Sequence, residues 1–98
     1  MKIESNNIKI SNIKNSKGNN IPNQFIIYTP EATYFQSYNS IIVKTTFEND
    51  ERVVYLDEND WDYSKTTGKY RNQFLGENKK ETEKKIKNGT YKLVNLND

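Results

Sequence analysis

Apolar and polar residues alternate through the middle of the chain, and this alternation is the pattern of half-buried β-strands. Ile41, Val43 and Thr45, for example, share one face of an extended segment, because every second side chain points the same way. Short polar clusters at residues 38–39 and 48–51 are typical of tight hairpin turns. The pattern predicts strands at residues 7–10, 24–29, 33–37, 40–47 and 52–56.

After residue 57 the apolar spacing changes from that of a strand to that of a helix. Tyr70 and Phe74 are four residues apart and share one helix face, and Gly76 stands where glycine commonly ends a helix. Phe74 is therefore expected to anchor this helix in the core. Hydroxyl side chains just upstream can cap its start, the candidates being Ser64, Thr66 and Thr67.

Asn78 can cap a second helix, because Glu81 three residues later completes the sequence pattern of a capping box. Gly89 ends this helix, and a last strand is predicted at residues 91–96. Lysine and glutamate are interleaved along the helix, which favours ion pairs at a spacing of four residues on its solvent side. The expected pairs are Glu81 with Lys85 and Glu83 with Lys87.

These elements predict an α+β fold: an antiparallel β-meander sheet with two short helices inserted before the last strand. The 98 residues fit a single domain, 1–98, in which residues 1–5 are expected to be frayed. No apolar run is long enough to span a bilayer, and no apolar stretch follows Lys2 as it would in a signal peptide. Because the chain also lacks cysteine for disulfides, a cytoplasmic location is expected.

The chain contains neither histidine nor cysteine, which excludes Ser-His and Cys-His nucleophile systems and the usual zinc sites. An acidic run at residues 57–62 offers oxygen ligands for a hard cation, but the twelfth position, where a calcium loop needs glutamate, is Gly68. A solvated turn is therefore the preferred interpretation of this run. We expect no catalytic residue, no metal and no cofactor. The acidic run consists of Asp57, Glu58, Asp60 and Asp62.

The segment from Trp61 to Gly76 contains the single tryptophan, four of the twelve aromatic residues and three cations. This mixture is typical of protein-binding hot spots and of surfaces on which bases stack. The alternative is that the rings, above all Trp61 and Phe74, pack the helix on the sheet. The predicted partner-binding residues are Trp61, Tyr63, Lys65, Lys69, Tyr70 and Arg71.

Two other groups could bind a ligand. Tyr34, Gln36 and Tyr38 stand at every second position and could form a stacking platform, although cross-strand pairs that fill a core face are commoner. Lysines of the second helix could contact phosphate, but the interleaved glutamates favour a solvated helix face. These lysines are Lys79, Lys80, Lys84, Lys85 and Lys87.

Fifteen asparagines and thirteen lysines stand against two arginines, a bias typical of AT-rich bacterial genomes and their phages. The string W-D-Y-S-x-T-T-x-K-Y at residues 61–70 resembles a family of short proteins of unknown function from phages and mobile elements of low-GC Gram-positive bacteria. The resemblance extends over about residues 21–97. Small cysteine-free proteins in this setting are often inhibitors of host defence, anti-CRISPR proteins among them, and the resemblance implies such a role.

The sequence therefore leads to the hypothesis of a non-enzymatic inhibitor that binds and occludes a nuclease or guide complex of a host defence system. Its partner would be a host or CRISPR-type effector protein in the bacterial cytoplasm, and direct nucleic-acid binding would be weak. The alternative is a small nucleic-acid-binding accessory protein of a phage, and a third candidate is a structural or regulatory phage domain. The net charge of +2 does not fit an acidic DNA mimic. A monomer or a homodimer fits these roles.

Overall fold

The computed structural model describes residues 7–98, and the predicted fraying of residues 1–5 lies outside this range. The order of strands and helices is the one that the sequence pattern predicts. Neither helix in this range is long and apolar enough to cross a membrane. The elements are β1 (Lys9–Lys14), β2 (Asn20–Tyr28), β3 (Ala32–Ser37), β4 (Ser40–Glu48), β5 (Glu51–Asp57), α1 (Lys65–Leu75), α2 (Lys79–Lys87) and β6 (Tyr91–Val94).

The six strands form one sheet in the order β1-β2-β3-β4-β5-β6. The first five pair antiparallel, as the alternating pattern and the polar turns predict. β6 instead pairs parallel with β5, because the two helices carry the chain back before it re-enters the sheet. The predicted α+β class, with two helices inserted before the last strand, is confirmed.

Two tight turns set the register of the central hairpins. Between β4 and β5, Asn49 and Asp50 both have positive φ, 54° and 66°, which is the combination found in a type I′ hairpin turn. Between β3 and β4, Tyr38 takes a φ of 56°, and Gln36 Nε2 donates a hydrogen bond to the Tyr38 carbonyl at 2.8 Å. The polar clusters in the sequence thus mark both turns correctly.

The core lies between the helices and one face of the sheet. Phe35, Val43 and Leu56 are fully enclosed there, and Phe74 of α1 stacks on Phe35 with ring centroids 5.8 Å apart. A bulge in the β3–β4 pairing after Phe35 lets the consecutive residues Ile42 and Val43 both be buried. Phe74 is itself partly buried, so it closes the edge of the core rather than its centre.

Glu77, just before α2, fastens this helix to β6. Its side chain is 4% exposed and accepts hydrogen bonds from Lys85 Nζ at 2.6 Å, Thr82 Oγ1 at 2.6 Å and Tyr91 OH at 2.8 Å. Burial opposes the ionisation of Glu77, but these hydrogen bonds outweigh it and hold the pKa of the carboxyl below its ordinary value. Lys85 therefore pairs with Glu77 and not, as predicted, with Glu81.

The opposite face of the sheet is not covered by α1 or α2. A cross-strand row on it runs from β3 to β6 through Tyr34, Lys44, Tyr55 and Lys92. The Nζ atoms of Lys44 and Lys92 lie 5.7 and 6.0 Å from the centroid of the Tyr55 ring. Because lysines flank this ring, the row is a ladder of cross-strand pairs.

Candidate functional site

The start of α1 is fixed by a cap and by a hydroxyl contact with the sheet. Ser64 accepts a hydrogen bond from the backbone N–H of Thr67 at 3.1 Å, so Ser64 is the cap among the three candidates. The Thr67 side chain is buried, and its Oγ1 lies 2.9 Å from Ser37 Oγ on β3. These contacts fix the first turns of α1 relative to the sheet. Gly76, with a φ of 73°, ends the helix as predicted.

Arg71 lies inside the molecule, with 1% of its surface exposed. Its Nη1 donates to the Trp61 carbonyl at 2.8 Å and to Asp62 Oδ1 at 3.1 Å, and its Nη2 donates to Asn72 Oδ1 at 3.0 Å. The guanidinium also lies over the Trp61 ring, 5.2 Å from its centroid. Arg71 therefore holds the loop before α1 against the helix.

The predicted partner-binding residues divide into an inner and an outer group. Tyr70 and Arg71 are buried, and Trp61 is partly buried against the core. Tyr70 and Arg71 therefore offer little surface to a partner, whereas Trp61 keeps part of its surface exposed. The outer group is exposed on the loop and on the first two turns of α1. It consists of Tyr63, Lys65 and Lys69.

An open cleft of about 570 Å³ lies beside the outer group, between the loop, α1 and the start of α2. Its one carboxylate, Asp62, is held by Arg71 Nη1 at 3.1 Å and by Lys79 Nζ at 2.6 Å. Four cations against one carboxylate give the lining a net charge of +3. We call it the cationic cleft, and its lining consists of Asp62, Ser64, Lys65, Gly68, Lys69, Arg71, Asn72 and Lys79.

The ion pair of Asp62 with Lys79 is favoured at physiological pH. Burial opposes the ionisation of Asp62, but hydrogen bonds from Lys79 and Arg71 outweigh it and lower the pKa of the carboxyl. The hydrogen bond to Asp62 raises the pKa of Lys79. Sequence reasoning placed Lys79 on a separate helix and missed its role here, because the turn at Gly76 brings the start of α2 beside α1 only in three dimensions.

Asp57, the first residue of the acidic run, is 1% exposed. The sequence predicts a solvated position, so this part of the prediction is wrong for Asp57. Its carboxylate accepts hydrogen bonds from the backbone N–H groups of Leu96 at 2.9 Å, Asp60 at 2.8 Å and Asn59 at 3.1 Å. Burial opposes its ionisation, but these bonds outweigh it and lower the pKa of the carboxyl. Within residues 7–98, no group of three or more acidic side chains gathers to hold a metal ion.

Cations outnumber carboxylates throughout the helical part of the chain. Residues 61–90 carry eight Lys and Arg against four Asp and Glu, a net charge of +4, while the rest of the chain carries seven against nine, or −2. On α2, Glu81 Oε1 accepts a hydrogen bond from the Asn78 backbone N–H at 3.1 Å in the predicted capping box, which removes it from the expected pair with Lys85. A second cleft, of about 480 Å³, is lined by Lys80, Glu83, Lys84, Lys87 and Asn88.

Residues 8–89 match the model of a protein family described as "Family of unknown function (DUF8033)". The matched range includes β1 to β5, both helices and every residue of the cationic cleft. No curated protein matches the chain, and no solved structure matches it.

Proposed function

The chain belongs to this family of unknown function, and we propose that it is a non-enzymatic phage or mobile-element protein that inhibits a host nucleic-acid-targeting defence system. It acts as anti-CRISPR proteins do, in the cytoplasm of the bacterial host, by binding and occluding a nuclease or its guide complex. The W-D-Y-S-x-T-T-x-K-Y string and the composition rich in Asn and Lys support the phage or mobile-element origin.

The outer group beside the cationic cleft is the observation that carries this proposal. The Tyr63 ring is 67% exposed, and an exposed tyrosine offers a large contact area with few rotatable bonds, as in binding hot spots. Lys65 and Lys69 add positive charge that complements a negative partner surface. An effector that carries guide or target nucleic acid presents such a surface, and a protein bound there covers it.

Three carboxylates lack the property that general-acid catalysis needs, which supports a binding role. The pKa values of Asp57, Asp62 and Glu77 are all lowered. A carboxyl that acts as a general acid near neutral pH needs a raised pKa. Each of these three carboxylates is also held by hydrogen bonds to the protein, so it serves the fold.

A second candidate, a small nucleic-acid-binding accessory protein, is favoured by the net charge of +4 in residues 61–90. Such a protein would bind free nucleic acid tightly at low salt and lose affinity steeply as salt rises. The inhibitor needs its effector and binds free nucleic acid weakly. A titration of free oligonucleotide at several salt concentrations, with and without the effector, separates the two functions.

The test begins with capture of a nuclease or a guide-complex subunit from a host lysate by the tagged chain. A cleavage assay with the captured effector should then show inhibition by the wild type and much weaker inhibition by Tyr63→Ala. Tyr28→Ala is the matched control, because Tyr28 is also exposed, at 43%, but lies on β2 outside the cleft lining. Full cleavage at saturating protein would refute the proposal.

A further inference from the structure

Five lysines of the helical part of the chain stand outside the ion pairs of residues 7–98, although Lys69 Nζ lies 5.3 Å from the centroid of the Tyr70 ring. All five are exposed. The first residue of α1 is a lysine, and so are the first two of α2, although positive charge is disfavoured at a helix N-terminus. The five are Lys65, Lys69, Lys80, Lys84 and Lys87.

Their spacing within each helix also opposes stability. Lys65 and Lys69 are four residues apart on α1, and Lys80 and Lys84 are four apart on α2, so each pair repels by a few tenths of a kcal/mol. The positions of Lys65, Lys69 and Lys80 therefore do not favour their helices, whereas Lys84 and Lys87 lie in the last turn of α2, where positive charge suits the helix dipole. Placement that costs the helices a little free energy is expected where the side chains serve a ligand.

The two clefts that these lysines line both include a residue at the start of α2. The lining of the cationic cleft includes Lys79, and that of the second cleft begins at the next residue, Lys80. Exposed lysines therefore recur from the first turns of α1 along the nine residues of α2, a helix about 13 Å long, with Glu83 among them in the second cleft. A single small anion needs one cleft, whereas an extended polyanion fits both.

We propose that the two clefts form one track for the phosphates of a single-stranded nucleic acid. Tyr63 lies between Asp62 and Ser64, which both line the cationic cleft, and its exposed ring can stack on an unpaired base. A duplex hides the base faces that such a ring needs. This inference rests on the proposed function: the strand is the guide or target strand that the inhibited effector presents.

Fluorescence anisotropy with labelled oligothymidylates tests the track at low salt, where weak binding to a free strand is measurable. We expect affinity to rise with strand length until the strand spans both clefts, and to fall with salt by about 0.7 logarithmic units per phosphate contact. The double variant Lys69→Gln/Lys84→Gln should reduce the slope of log affinity against log salt by about 1.4. Tyr63→Ala should weaken binding roughly tenfold and leave this slope unchanged. Lys9→Gln/Lys17→Gln, which removes the same charge outside the helices, should leave slope and affinity unchanged.

Three results would overturn the track. A mononucleotide or a polyglutamate peptide could bind as tightly as a long oligothymidylate strand. The Lys9→Gln/Lys17→Gln control could also bind the strand as weakly as Lys69→Gln/Lys84→Gln. The test is separable from that of the proposed function. Oligonucleotide binding that depends on strand length and salt as expected, without inhibition of any effector, would refute the proposed function and support the track. Inhibition that needs Lys69, with no oligonucleotide binding at low salt, would refute the track and support the proposed function.

Discussion

At the residue scale, the candidate site depends on Arg71. This side chain is buried and acts indirectly, because it holds the loop before α1 against the helix. Arg71→Ala would leave the Trp61 carbonyl without its donor and Asp62 with Lys79 as its one remaining ion-pair partner, and removal of one member of a buried pair costs up to 3–5 kcal/mol. Because Asp62 is 34% exposed and can partly rehydrate, we expect a loss of about 2–3 kcal/mol in the free energy of unfolding.

Urea denaturation measures this loss, and Arg52→Ala is the matched control, since Arg52 is exposed on β5. That control should shift stability by about 0.5 kcal/mol or less. Equal, small effects of the two substitutions would mean that Arg71 does not hold the loop.

Phe74 allows a second measurement at this scale. Phe74→Ala removes the ring that stacks on Phe35, and truncation of a core phenylalanine costs about 3–5 kcal/mol. Partial exposure of Phe74 places the expected loss at the lower end, about 3 kcal/mol. The control is Phe47→Ala, because Phe47 is 71% exposed and should change the free energy of unfolding little. A loss below about 1 kcal/mol for Phe74→Ala would mean that the stack contributes little to the core.

At the scale of elements, the junction of α2 with β6 should be sensitive to acid. The pKa of Glu77 is lower in the folded protein than in the unfolded chain, so its stabilising effect is present above the ordinary pKa, near 4, and is lost as the pH falls through the folded value. Glu77→Gln should therefore be less stable than the wild type at pH 7, by an amount that shrinks toward pH 3.

Thermal melts from pH 7 to pH 3 measure this difference, with Glu58→Gln as the control at an exposed glutamate. Asp57 and Asp62 also have lowered pKa values and weaken both proteins in acid, so the comparison with Glu77→Gln isolates the junction. A difference that stays constant over this range would contradict the assigned role of Glu77.

The elements were largely predictable, and the site only in part, for one physical reason. Strand alternation, turn residues and the Asn78 cap are local signals, so the order of elements follows from neighbouring residues. The burial of Arg71 and Asp57 depends on partners 10 and 39 positions away in the chain, which no periodicity encodes. Lys85 likewise reaches Glu77 eight positions away, instead of the expected partner at four. Sequence patterns predict charged side chains on the surface, because such residues are rarely buried. In the structure, some of them are instead paired inside the molecule.

At the scale of the whole molecule, charge is divided unevenly along the chain. The helical part carries +4 and the rest of the chain −2, so the protein presents a positive side to an approaching partner. Such a division orients a protein in the field of a polyanion before contact and raises the association rate at low salt. The exposed Tyr63 lies in the chain between two residues of the cleft lining, Asp62 and Ser64, and can add short-range contact once the two surfaces meet.

Replacement of Lys65 and Lys69 together by glutamate should therefore abolish effector binding and nuclease inhibition while the fold persists, since exposed substitutions shift stability by about 0.5 kcal/mol or less. Arg71 is left intact because its loss would disturb the loop. Lys9→Glu/Lys17→Glu changes the net charge from +2 to −2 equally, at exposed positions outside the helices, and should retain inhibition. Circular dichroism checks that both variants are folded before cleavage is assayed. Equal loss in both would assign the effect to net charge, and full inhibition by the Lys65/Lys69 variant would place the docking surface elsewhere.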